Sequence, residues 1–160
     1  MKHILSFSLL LTLLSCHFER MPQGLPVFYQ YGYYGMRSNP ILWLRADRDP
    51  SGTPRLSYVR NQFEITIIRA PEDIFLRIDS LARKARLNRL KDRYTPLANI
   101  KDGNSWSLNL KYEQGSISSH GSNAWPSREL RDGIDAINAY LESLADAAGE
   151  EDIIGKEPYR

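Results

Sequence analysis

The chain has 160 residues, 42% hydrophobic and 25% charged, which fits one folded domain and excludes a disordered chain. Lys and Arg number 21 against 19 Asp and Glu, a formal charge of +2 that gives no electrostatic case for a nucleic-acid partner. The single cysteine, Cys16, excludes an internal disulfide and needs another role.

Lys2 supplies a positive start, Ile4 to Leu14 form a short apolar run, and Ser15 is the small residue a signal peptidase needs. As a helix this run spans only about 17 Å. A bilayer core is roughly 30 Å thick, so the run reads as a signal segment and not as a transmembrane helix. The stretch Leu13-Leu14-Ser15-Cys16 resembles the bacterial lipobox. That resemblance implies removal of residues 1–15 and attachment of lipid to the Cys16 sulfur. It places the mature protein on a membrane of the cell envelope. His17 and Phe18 carry no obvious sorting code, so the choice of inner or outer membrane stays open.

Residues 16–40 read as a lipidated tether and entry segment, broken by Pro22, Gly24, Pro26, Gly32, Gly35 and Pro40. Its aromatic cluster of Phe28, Tyr29, Tyr31, Tyr33 and Tyr34 suits a first strand packed on the domain, an edge strand or a sticky binding surface. A single domain is expected over residues 41–148. Ile41 to Arg48, then residues 55–69 as one or two strands, flank the turn-rich stretch Asp49 to Pro54. Pro71 opens a helix expected to reach about Leu90, with Ile74, Ile78, Leu81 and Ala85 on one face. Trp106, Leu108, Leu110 and Tyr112 alternate with polar residues as a strand. Glu113-Gln114-Gly115 turns the chain into a second strand over Ser116 to His120. Pro126 and Ser127 introduce a last helix with Leu130, Ile134, Ile137, Leu141, Leu144 and Ala148 as its apolar stripe. Residues 149–160 read as a polar tail. The expected fold is α+β, an antiparallel sheet of four to five strands with both helices on one face.

Zinc-ligand spacing, a nucleophile elbow and glycine-rich phosphate loops are all missing, so no metal, cofactor or catalytic residue is assigned. Ser118 and His120 would share a strand face, whereas Ser119 and His120 would not. The basic run Arg83, Lys84, Arg86, Arg89, Lys91 and Arg93 is opposed only by Asp92. It suits either a solvated helix face or a patch for anionic lipid or a polyanionic glycan. The acidic end of the last helix, Glu142 to Asp152, could instead pair with it.

The stretch from Asp102-Gly103 through Trp106, Leu108, Tyr112 and Gly115, followed by Ser119 to Pro126, resembles a small bacterial family. That family carries DGxxWxLxxxYxxG and then SxGxNAxP before a helix. The resemblance implies a shared hairpin-to-helix unit and carries over no known activity. Within it, Gly121 is expected to allow a special backbone conformation, Asn123 to hold the loop, and Trp106 and Trp125 to pack together. The loop is then a structural corner or a ligand rim containing His120, Asn123 and Trp125. Tyr33 and Tyr34, the basic residues Arg83, Lys84, Arg86 and Arg89, and this rim are the candidate ligand or partner surfaces. The leading expectation is a non-catalytic lipoprotein that binds an envelope protein, glycan or anionic lipid. An immunity or inhibitor lipoprotein acting on a toxin or wall-degrading enzyme is the alternative. A hydrolase using His120 is the third.

Overall fold

A computed structural model describes residues 20–35, 40–61, 64–97 and 103–159. The expected signal segment and Cys16 lie outside these described residues. In chain order come β1 (Gln23–Tyr34), β2 (Pro40–Arg48), β3 (Pro54–Asn61), β4 (Glu64–Arg69) and α1 (Ile74–Lys84). Then follow β5 (Arg93–Tyr94), β6 (Ser105–Gln114), β7 (Ser116–Ser122), α2 (Arg128–Ala147) and β8 (Ile153–Pro158). The strands form one sheet in the order β5-β7-β6-β1-β2-β3-β4-β8. Neighbours are antiparallel except β5 and β7, which run parallel at Arg93↔His120 and Tyr94↔Gly121.

The fold is α+β with two helices, but the expected four to five antiparallel strands become an 8-stranded mixed sheet. Three strands account for the difference. β1 comes from the segment read as a tether and aromatic entry, whose cluster also suited a first strand packed on the domain, and it lies inside the sheet between β6 and β2. Its proline is tolerated because the ladder with β6 shifts register on both sides of Pro26. β8 comes from the expected polar tail. It pairs with β4 through backbone bonds, which need no apolar pattern, and Lys156 and Glu157 lie exposed on it. β5 has only two residues, too few for any periodic signal.

One face of the sheet carries Tyr29, Tyr31, Leu44, Leu56, Tyr58, Ile68, Trp106, Leu108 and Leu110. Both helices bury their stripes in this same cluster, α1 through Ile74, Phe75, Ile78 and Ala82 and α2 through Leu130, Ile134, Ile137 and Leu141. Burying a large apolar side chain contributes about 1.5–3 kcal/mol, so this cluster is the main source of stability.

α1 stops at Lys84 and does not reach Leu90 as the periodicity suggested. Arg86 adopts a left-handed backbone, φ 54°, which turns the chain into a short 3-10 turn over Leu87–Arg89. The turn returns Leu87 to full burial. Gly133 of α2 lies against this turn, and a Cβ there would run into that of Ala85. The two helices therefore meet at the C-terminal end of α1 and the first third of α2.

Candidate binding site

The corner after β7 is built from interlocked rings and amides. Trp125 stacks on Trp106 with centroids 5.6 Å apart and planes 12° apart, and meets Tyr33 edge-on at 5.5 Å. The Trp106 indole N–H donates to the Ala124 carbonyl at 2.8 Å. Tyr33 is fixed in turn, its hydroxyl accepting from the Asn104 amide at 2.7 Å. Asn123 Oδ1 accepts from the Asn104 backbone N–H at 2.9 Å, and the Asn123 N–H returns to the Asn104 carbonyl at 2.9 Å.

Asn123, with φ 51°, supplies the left-handed backbone of this corner, so the conformational role expected of Gly121 falls to it. Gly121 is required for space: a Cβ would run into the Ala124 carbonyl and the Trp106 indole nitrogen.

The ring cluster walls a cleft of about 500 Å³ between the sheet and α2. Tyr31 and Leu42 line its sheet side, Trp125 and Tyr33 one end, and Arg131, Asp135 and Glu142 the helix side. The helical residues fall on one flank of α2 because positions 131, 135, 138, 139 and 142 step by three or four or sit side by side. Burial pushes the Asp135 carboxyl above its ordinary value, with Arg131 opposing the rise and Asp132 adding to it. Burial, then the Asp146 charge, does the same to Glu142. Burial and the Asp135 charge raise the Tyr31 hydroxyl. The cleft therefore combines aromatic walls with two carboxyls on the exposed flank of α2, beside the Arg131 cation.

The candidate surface residues separate into three places. Tyr33, Asn123 and Trp125 come together at the corner, with Tyr33 and Trp125 also lining the cleft. His120 and Tyr34 lie on the other face of the sheet. His120 is exposed in the cross-strand row Trp43–Gly32–Ser107–His120–Arg93, so it does not join Trp125 in one rim. Tyr34 bonds Tyr159, which packs edge-on against Trp43 at 6.0 Å. The basic residues Arg83, Lys84, Arg86 and Arg89 lie around the α1 end, away from both.

Arg131, Asp135 and Glu142 carry no motif. Their only sequence signal is helical spacing beside the apolar stripe. Among the described residues, no group of three or more His, Cys, Asp or Glu could hold a metal, and no helix is long and apolar enough to cross a membrane. No family model matches the chain, and no curated protein matches it.

Proposed function

We propose that this protein is a lipid-anchored domain of the bacterial envelope that binds a partner in the aromatic cleft beside α2. The observation that carries the reading is the cleft itself: its Trp125 and Tyr33 walls are fixed by stacking and hydrogen bonds before any ligand arrives. Prefixed walls reduce the ordering cost of association. The partner suited to this cleft is a protein segment carrying an apolar side chain next to Lys or Arg. The aromatic walls take the first, and Asp135 and Glu142 the second. The lipobox at Cys16 supplies the anchor, and the reading assigns binding and no chemical step.

A photo-crosslinking amino acid at Ala139, on the cleft, tests this in cells expressing the full chain. The expected result is a discrete adduct at Ala139, absent when the probe stands at Lys156 on β8. Trp125→Ala should remove the adduct, and Asp135→Asn with Glu142→Gln should weaken it several-fold. An Ala139 adduct no stronger than that at Lys156, or one indifferent to Trp125→Ala, overturns the cleft as the binding site.

A further inference from the structure

We infer that the side of the domain where the chain enters β1 is a membrane-docking face for anionic phospholipid headgroups. Pro22 precedes β1 and lies beside the β6–β7 turn, where a Cβ on Gly115 would meet its ring at 3.3 Å. Arg20 and Pro22 line a hollow of about 370 Å³ together with Asn88, Leu90, Asp92 and Ser118. The chain before β1 therefore runs alongside the segment that carries the basic residues.

Arg83 fixes that arrangement. Its guanidinium is held by Asp79 at 2.8 Å and reaches the Pro22 carbonyl at 3.4 Å. It serves as a positioning residue and is largely neutralised by its partner. Arg20, Lys84, Arg86 and Lys91 are exposed, and Lys84, Arg86 and Lys91 form no ion pair with another described residue. Around the end of α1 and the β6–β7 turn the exposed acids are Asp92, Glu113 and Glu129, against Arg20, Lys84, Arg86, Arg89 and Lys91, so the local balance is positive.

The acidic residues that could have neutralised the run lie elsewhere. Glu150, Glu151 and Asp152 lead into β8, at the same end of the sheet as the start of β1 but across it, at the edge opposite to β5 and β7. The molecule is thus nearly neutral in sum but basic at one edge and acidic at the other. That separation, and not the net charge, orients it on an anionic surface.

The tether permits this orientation. Seven residue steps separate Cys16 from Gln23, a reach of at most about 25 Å. β1 is the fourth of the eight strands, about 14 Å from β5 and about 19 Å from β8 at the usual spacing, so this reach lets either edge approach the bilayer and the charge separation selects the β5 and β7 edge. An anchored Cys16 would hold the Pro22 end nearest the bilayer, within range of headgroup charge. Tyr33 lies ten residues further along β1, about 33 Å away at strand rise. The cleft therefore lies at the end of β1 remote from the anchor.

This inference takes its tether from the lipid-anchor reading, and the test lets the two fail separately. The full chain is purified from bacterial membranes and its Cys16 peptide is weighed for a diacylglyceryl group. The protein is then placed in vesicles of phosphatidylcholine, with or without phosphatidylglycerol, that carry a headgroup quencher. A fluorescent amino acid at Ser118 should be quenched more than one at Ile154 when phosphatidylglycerol is present. Added salt should erase the difference. Lys84→Glu, Arg86→Glu and Lys91→Glu together should do the same, while the protein stays folded with a melting temperature lowered by only a few degrees. If Cys16 carries no lipid, the anchor reading fails alone, and docking is read as co-sedimentation of the same full chain with phosphatidylglycerol vesicles. The triple reversal should then weaken binding about a hundredfold or more, from the usual contribution of each basic residue at such a surface. Equal quenching at Ser118 and Ile154, or binding indifferent to phosphatidylglycerol and to the reversal, overturns the docking face.

Discussion

Tyr29 carries its hydroxyl into the middle of the core and donates it to Asn138 Oδ1 at 2.6 Å, both residues being buried. The tyrosine is fully buried while Asn138 also borders the cleft, so it is the tyrosine hydroxyl that depends on this bond. Asn138→Leu should cost about 1–3 kcal/mol in urea denaturation, since the tyrosine hydroxyl loses its acceptor. Adding Tyr29→Phe should recover part of that loss. The pair is invisible in the sequence because Asn138 interrupts an apolar stripe with nothing to name a partner 109 residues away. Asp49 makes a local counterpart. Its carboxylate accepts from the Ser51 hydroxyl and from the Ser51 and Thr53 backbone N–H groups. These bonds, the Ser51 hydroxyl first, hold its pKa below the ordinary carboxylate value. A lowered folded value stabilises above the unfolded value of about 3.9, and that contribution fades as pH falls through the folded value. Asp49→Ala should therefore reduce stability at neutral pH and approach the parent in strong acid, as denaturant titrations at the two extremes would show.

At the scale of elements, the apolar stripes of both helices and the β6–β7 hairpin were legible because their periodicity is strong. Helix ends were less so: the periodicity through Ala85 runs past the actual end of α1. What stops the helix is Arg86, turned left-handed as Leu87 enters the core, and no single residue type announces that turn. Gly133 shows the same limit. In an isolated helix, alanine there would help by about 1 kcal/mol. Here the Cβ would strike Ala85, so Gly133→Ala should lower stability by about 1–3 kcal/mol on thermal unfolding. Ala85→Gly in the same chain should restore part of it. A fully tolerated Gly133→Ala would mean that the helices can move apart freely. The cleft was half legible: the ring cluster of Tyr33 and Trp125 stood out, while Arg131, Asp135 and Glu142 became a site only when α2 was laid beside β1 and β2.

At the scale of the whole molecule, pairing between distant segments decided what the sequence left open. β1 and β8 are defined by their neighbours β6, β2 and β4 and not by their own patterns. Net charge was equally uninformative, since a sum conceals the distance between its positive and negative parts. The position of β1 has a mechanical consequence. The strand nearest the expected anchor is hydrogen-bonded on both sides, with partners from Tyr29 to Tyr34 on β2 and from Gln23 to Tyr34 on β6. Ladder bonds run across the strands, so a pull along β1 from its start loads many of them together. A partner held in the distant cleft and tugged against the membrane would therefore put β1 in shear. An edge strand at the same point would peel away one bond at a time.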